Sequence, residues 1–203
     1  MKIKLTKGEL KRQRDSLRQY ERYLPTLQLK KQQLQIEIAH QQAYREEKER
    51  EYSVKRKLAL SWSALLCEDG LKKAWLLPRQ VIRSTKNIAG VDIPVFMRLE
   101  FVAAEYDLFL TPLWVDAGLE ALRGLVTAQE ELRTIREGVE ILRHELRITS
   151  QRVNLFEKVK IPEAKEAIRL IKIYIGDQMT NAVGRSKITK AKIEEMSLVP
   201  IAS

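Results

Sequence analysis

Hydrophobic positions recur with a helical period along the first part of the chain. Thr6 has Glu9 three residues later, which is the spacing of a capping box at a helix N-terminus. The apolar positions that follow are Leu10, Leu17, Leu24, Leu27, Leu34 and Ile38. Residues 41–57 are almost entirely polar, with Glu and Lys at helical separations, which is typical of a solvated helix. We therefore predict a long helix over residues 1–58.

The helical pattern is strongest after Asp116, where two rows of mainly apolar residues alternate at intervals of three and four. The first row is Leu132, Val139, Leu146 and Val153, and the second is Ile135, Leu142, Thr149 and Phe156. Rows with this spacing occupy the a and d positions of a coiled coil. The stripe resumes at Ile168, Ile171 and Ile175. We predict a second long helix over residues 116–178, followed by a basic tail over residues 179–203.

A proline falls inside each of these predicted helices. Proline has no backbone N–H, and its ring crowds the carbonyl group four residues earlier. We therefore expect Pro25 to break or kink the N-terminal helix. Pro162 has two interpretations, because it either bends the C-terminal helix or begins a second helix after a break.

The middle of the chain, residues 59–115, has a different pattern. Its tryptophans and main turn-forming residues are Trp62, Trp75, Trp114, Pro78, Gly90, Pro94 and Pro112. β-Branched residues alternate after Gly90, which predicts a short strand or hairpin arm, and Pro94 favours an edge position for it. We predict a small compact module here, with Trp114 anchoring it to the following helix.

These elements together predict a mainly α fold. Each apolar stripe is too narrow to be buried by anything except another helix. The two long helices are therefore expected to form an antiparallel two-helix coiled coil, with the central module of short helices and a β-hairpin between them. Helices of this length would extend over on the order of 70 to 80 Å.

Composition adds limits on the class of protein and on its location. The apolar content of 44% includes only 6% aromatic residues, which is lean for a compact globular domain. The formal charge of +10 permits an acidic partner without selecting one. The single Cys67 excludes an internal disulfide framework, and no apolar segment is long enough for a membrane span or a signal peptide. We expect a cytoplasmic protein.

Candidate sites for chemistry are weak. Residues 183–187 lack the first glycine and the Gly-Lys pair of a phosphate-binding loop, and the two histidines, His40 and His144, have no ligand partner at metal-binding spacing. The carboxylate clusters fit a solvated helix face. Glu side chains interleave with the basic ones, which disfavours nucleic-acid binding. We predict no catalytic residue, cofactor or metal, and a coiled-coil tether, scaffold, chaperone or shaft.

Three stretches resemble the D subunit of the V-type (vacuolar or archaeal-type) rotary ATPases. Residues 149–162, TSQRVNLFEKVKIP, are similar to the C-terminal signature of that family. Residues 23–30 resemble its Pro-Thr and Leu-Lys positions, and residues 87–94 its central Asn-x-x-Gly-Val-x-x-Pro element. The matching positions that we single out are Pro25, Thr26, Gly90, Pro94, Arg152, Val153, Asn154, Glu157, Ile161 and Pro162.

The resemblance implies a non-catalytic central stalk subunit, present as one copy per complex. The family's helical pair inserts into a hexamer of A and B subunits, which carry the ATP chemistry. Rotation of the pair couples ATP hydrolysis or synthesis to proton or sodium transport. The further partners implied are the F subunit and the C or d subunit that joins the stalk to the membrane ring. The location implied is the cytoplasmic side, peripheral to the membrane. A coiled-coil scaffold or chaperone-like protein is the alternative.

Overall fold

The computed structural model describes residues 4–67, 71–107, 109 and 111–198, and within this part the fold is mainly helical. The helices and strands are α1 (Lys7–Ser61), β1 (Pro78–Ile88), β2 (Val91–Phe101), α2 (Trp114–Leu155) and α3 (Ile161–Leu198). Two 3₁₀ turns, Ser63–Cys67 and Lys73–Leu76, lie between α1 and β1, and a π-helical segment, Phe156–Lys160, joins α2 to α3. The predicted fold class is confirmed.

The chain divides into two compact units. One, which we call the end unit, consists of residues 1–28 and 151–203, and the other, the middle unit, consists of residues 29–150. Both contain parts of the long helices, and packing groups the hairpin with the C-terminal half of α1 and most of α2. The boundaries of these two units differ from those of the predicted segments, which are 1–58, 59–115, 116–178 and 179–203.

The N-terminus of α1 is capped as the sequence predicts. The Thr6 hydroxyl accepts a hydrogen bond from the Glu9 backbone N–H at 3.2 Å, and the Thr6 carbonyl accepts one from the Leu10 N–H at 3.0 Å. Pro25 does not end the helix, so the expected break is wrong. A proline removes one hydrogen bond while the neighbouring turns keep theirs, and here the Thr26 hydroxyl also donates to the Tyr23 carbonyl at 2.8 Å.

The middle unit has a core shared by α1, β2 and α2. Its buried side chains are Leu34, Ile38, Ile93 and Leu142, with Ile88, Ala89, Val91 and Leu146 packed around them. Two polar contacts fix the direction of the helices: the Lys30 ammonium lies 2.8 Å from the Glu145 carboxylate, and the Tyr44 hydroxyl donates to Glu131 at 3.1 Å. Since residue numbers rise on α1 as they fall on α2, the helices are antiparallel, as predicted.

The hairpin of β1 and β2 turns through two residues with positive φ, Ala89 at 51° and Gly90 at 76°. Positive φ at both central positions defines a type I′ turn, whose twist matches that of the strands. The Asn87 side chain supports the turn by accepting from the Gly90 N–H at 3.1 Å and donating to Asp92 at 2.6 Å. Pro94 pairs with Thr85 in a two-stranded sheet, where both strands are edges.

A second cluster fastens the connecting segments to the start of α2. Trp75, Val115 and Leu119 are buried there, with Trp114 and Tyr106 packed against them. Arg123 on α2 donates to the Trp75 carbonyl at 3.1 Å and to the Val102 carbonyl at 2.7 Å. These contacts bind the segments on either side of the hairpin to one helix.

In the end unit, α1 packs against the π-helical segment and α3. The rings of Tyr20 and Phe156 stack with centroids 5.3 Å apart, and the Lys165 ammonium lies 3.6 Å from the Glu21 carboxylate. The buried residues are Val153, Ala164, Ala167, Ile168 and Ile171. Helix α3 continues to Leu198, so the predicted tail over residues 179–203 is helical in its described part, and its last five residues lie outside the described residues.

Candidate functional site

An irregular stretch of helical backbone lies just before Pro162. Helix α2 passes at Leu155 into the π-helical segment Phe156–Lys160, and the Ile161 N–H donates to the Phe156 carbonyl across five residues. Leu155 and Ile161 both keep right-handed helical dihedrals, so the chain stays helical through the junction. A proline in a regular helix would crowd the carbonyl four residues earlier, which is that of Lys158. The wider π turn gives the Pro162 ring room, and the chain is helical through the junction instead of being broken into two separate helices.

The π segment also shifts the buried face of the helix by one residue. The two heptad rows reach Val153 and Phe156, and strict continuation would bury residues 160, 163, 167 and 170. The residues buried or half-buried after the segment are instead Ile161, Ala164, Ile168, Ile171 and Ile175, together with Ala167. A π turn inserts one residue into the helical repeat. It therefore keeps the apolar face of α3 in line with that of α2.

The structure places the predicted signature residues in two groups. Pro25, Thr26 and residues 152–162 belong to the end unit, whereas Gly90 and Pro94 belong to the hairpin of the middle unit. Around the π segment, Val153 is 4% exposed and part of the core. Arg152, Asn154 and Glu157 are exposed. Residues 152–157 of the predicted signature thus combine the buried Val153 with polar side chains that face solvent.

A groove of about 250 Å³ lies between the hairpin and the helices of the middle unit. Its lining residues include His40, Tyr44, Ile93, Pro94, Phe96, Glu131 and Thr134. The Thr134 hydroxyl is already bonded to the Glu130 carbonyl at 2.9 Å, and Tyr44 and Lys48 both contact Glu131. The side chains of Tyr44, Glu131 and Thr134 are therefore already engaged in hydrogen bonds.

Two polar pairs of the middle unit carry perturbed pKa values. Burial, with the hydrogen bond to Glu131, raises the pKa of the Tyr44 phenol. Hydrogen bonding to Glu51 raises the pKa of the Lys48 ammonium. Tyr44 thus donates from α1 to Glu131 of α2, while Lys48 donates to Glu51 on its own helix and also lies 3.4 Å from the Glu131 carboxylate.

The residues considered above for metal or phosphate binding all lie on helices. His40 and His144 are both exposed on helices, and residues 183–187 lie inside α3 instead of in a loop after a strand. Among the described residues, no group of three or more His, Cys, Asp or Glu side chains is placed to hold a metal ion.

Comparison with known proteins identifies the family. The family model described as the ATP synthase D subunit matches residues 9–191. The chain belongs to the ATP synthase D subunit family. It is 45% identical over 193 residues to the V-type ATP synthase D subunit of Borreliella burgdorferi, an alignment that covers 95% of each chain. It is 34% identical over 198 residues to the protein of that name from Chlamydia pneumoniae, covering 96% of this chain and 94% of the other.

The match to this family spans the N-terminal helix, the hairpin, the π segment and most of α3. In the part of the chain that the structure describes, no helix is long and apolar enough to cross a membrane. Sequence reasoning predicted the hairpin but did not place its first strand, β1, and it missed the π segment. The one-residue shift of the heptad rows signals the π segment, whereas β1 carries little signal because most of its side chains are exposed.

Proposed function

We propose that this D subunit is the central rotor shaft of a V-type ATPase. The observation that carries the proposal is the antiparallel pairing of α1 with α2 in the middle unit of a chain of this family. In the end unit, α1 also packs against the π segment and α3. A rotating element has to transmit torque, and a paired seam resists separation because each buried methylene contributes about 0.8 kcal/mol. The catalytic A and B subunits would surround the shaft and carry out ATP hydrolysis or synthesis.

The other partners proposed are the F subunit and the C or d subunit, which connects the shaft to the membrane ring. The chain would be peripheral to the membrane on its cytoplasmic side, with one copy in each complex. Its rotation would couple the ATP reaction to proton or sodium transport. An asymmetric shaft presents different faces to the subunits around it, so each of them is held in a different state.

The test is assembly of the purified full chain with the A and B subunits from the same source, read by native mass spectrometry. We expect one copy for each A and B hexamer. The alternative is a self-associating coiled-coil scaffold. Failure to bind the hexamer, together with dimerisation of the chain alone, would reject the shaft and support that alternative.

The π segment has a proposed mechanical role in the shaft. Replacement of Pro162 by Ala should leave the fold intact and lower the ratio of ions transported to ATP hydrolysed, because the junction loses the residue that requires the wide turn. Pro112→Ala, in the connection before α2, is the matched control. Transport per ATP that is unchanged by Pro162→Ala would refute this role.

A further inference from the structure

The β-hairpin contributes a single buried side chain to the core of the middle unit. Ile93 is 3% exposed, whereas the other residues of β1 and β2 are half-buried or exposed. The sheet has two strands, with no third strand beside it in the part of the chain that the structure describes. A two-stranded hairpin is marginally stable in water without further packing. The hairpin therefore depends on a small number of contacts with the helices.

The base of the hairpin is held separately from the rest of it. Arg123 of α2 donates to the Val102 carbonyl, just after the end of β2. Further along, the strand pairing shifts register immediately before Arg83, because Met97 is an extra residue in β2. Such a bulge interrupts the ladder and bends the strand. We call the part beyond the bulge, residues 83–96, the distal hairpin.

An ionic contact joins the distal hairpin to α2. Arg83 lies 2.8 Å from the Glu137 carboxylate and 4.0 Å from that of Glu130. Among the described residues, no other side chain of the distal hairpin forms a salt bridge with a helix. Arg133 lies between the two carboxylates on α2 and is 3.6 Å from each of them. Both carboxylates thus keep a cationic partner when Arg83 moves away, which lowers the cost of breaking this contact.

The two helices have contacts of their own that do not involve the hairpin. The Lys30 ammonium of α1 lies 2.8 Å from the Glu145 carboxylate of α2. Nearer the other end of the middle unit, Arg136 of α2 donates to Glu49 of α1 at 2.9 Å. These pairs remain in place when the distal hairpin leaves the helices, so its release is a local event and not unfolding of the whole unit.

We propose that the distal hairpin is a strap that opens and closes over the helix pair of the middle unit, with Arg83 as its clasp. Closure buries Ile93 against Leu34 and Leu142, each 0% exposed, so the closed form predominates. Opening exposes these side chains to solvent, which keeps the open form a minor state. The clasp is partly exposed, and ion pairs of this kind change an equilibrium by about two- to fivefold. This inference concerns the free chain and is independent of the proposed function.

Hydrogen exchange of the free full chain, measured by mass spectrometry at peptide level, tests the strap. We expect amides of the distal hairpin to exchange more than about tenfold faster than those of residues 139–146, with a weaker dependence on urea, because local opening exposes little surface. Arg83→Gln should speed exchange in the distal hairpin about threefold. Arg98→Gln, which removes a cation paired with Glu100 of the same strand at 2.9 Å, is the matched control and should leave it unchanged.

A cross-link gives a second test that does not depend on the strength of the clasp. A Cβ added at Gly138 lies 3.7 Å from the Ile93 Cβ, which is within the range of a disulfide. Ile93→Cys with Gly138→Cys, in a Cys67→Ser background, is compared with itself in the oxidised and reduced forms. Loss of the Ile93 side chain is then common to both measurements. We expect oxidation to slow exchange in the distal hairpin by about tenfold or more.

Three results would count against the inference. Exchange of the distal hairpin at the same rate as residues 139–146 in the unchanged chain would show that it opens only when the whole unit unfolds. Equal exchange in the oxidised and reduced forms would show fraying within the hairpin instead of release from the helices, and would overturn the strap. Equal effects of Arg83→Gln and Arg98→Gln would overturn the assignment of Arg83 as the clasp.

Discussion

At the scale of single residues, the hairpin turn shows how one side chain limits local stability. Ala89 has a φ of 51°, in the left-handed region that residues with a Cβ rarely adopt. Gly90, at 76°, has no such cost. Sequence reasoning located this turn from Gly90 alone, because glycine is the usual residue for a positive φ.

Two glycine replacements should have opposite effects on stability. We expect Gly90→Ala to lower the free energy of unfolding by about 1 kcal/mol, since it adds a Cβ at a positive φ. Gly124→Ala, in helix α2 with open space around the site, should raise it by about 0.5–1 kcal/mol. Urea denaturation followed by circular dichroism measures both. Changes of the same sign would contradict the positive-φ explanation.

Tyr106 should make the stability of the chain depend on alkaline pH. Its hydroxyl donates to the Asp116 carboxylate, and this bond raises the pKa of the phenol above its ordinary value near 10. A group whose pKa is raised by folding contributes stability below its unfolded pKa and loses it as the pH rises through its folded pKa. Stability should therefore fall above about pH 10.

The measurement for this prediction is urea denaturation across the alkaline range for three proteins. Tyr106→Phe should lower stability at about pH 8 and give a shallower decline above about pH 10 than the unchanged chain. Tyr23→Phe, at a residue that is 56% exposed, is the control and should retain the full slope. An unchanged slope in Tyr106→Phe would assign the decline to other groups.

At the scale of elements, the long helices are explained by the periodicity of the sequence. Leu132, Val139 and Leu142 of the predicted rows are at most 4% exposed, and Thr149, the one polar member, is 1% exposed. The local order of apolar residues is sufficient here, because a 3.6-residue period has only one face to bury. The break expected at Pro25 is wrong because a single lost hydrogen bond does not outweigh the packing on either side.

Deletion of one residue tests whether the extra residue of the π segment sets the alignment of the buried helix face. Deletion of Lys158 combined with Pro162→Ala should give a continuous α-helix whose buried face still aligns, with a change in unfolding free energy below about 1 kcal/mol. Deletion of the exposed residue Glu140 should instead rotate the seam that follows and cost about 2–5 kcal/mol, as burial of residues such as Leu142 is lost. Thermal and urea denaturation distinguish them. Equal losses would show that the π segment does not set the alignment.

At the scale of the whole molecule, part of the helical surface has no partner within the described chain. Most side chains of residues 176–195 of α3 are exposed. Their large apolar members are Met179, Val183, Ile188 and Ile193, each at least 53% exposed. An isolated helical stretch of this length is marginally stable in water, because packing supplies most helical stability in proteins.

Hydrogen exchange should therefore differ strongly along the chain. In the free protein, we expect amides of residues 180–195 to exchange within minutes and those around Leu142, which is fully buried, to exchange far more slowly. Assembly with the A and B subunits should slow exchange in residues 180–195. Exchange measured by mass spectrometry at peptide level tests this, with residues 139–146 as the internal reference. Strong protection of residues 180–195 in the free chain would contradict it.

The sequence alone determines the two long helices, their antiparallel pairing, the cap at Thr6 and the turn at Gly90. These features follow from local hydrogen bonding and from one repeating apolar period, and both depend on residues that are close together in the sequence. It predicts a hairpin but does not place the residues of strand β1, whose side chains are mostly exposed and which forms by pairing with β2.

Tertiary structure decided the features that depend on residues far apart in the chain. The shift in the apolar rows at Phe156 is visible in the sequence, but packing on both sides decides that it becomes a π turn instead of a break, because a break would misalign Val153 and Ile168. Pairing of the chain ends also decides which cations stay unpaired. Lys165 of α3, for example, is paired with Glu21 of α1.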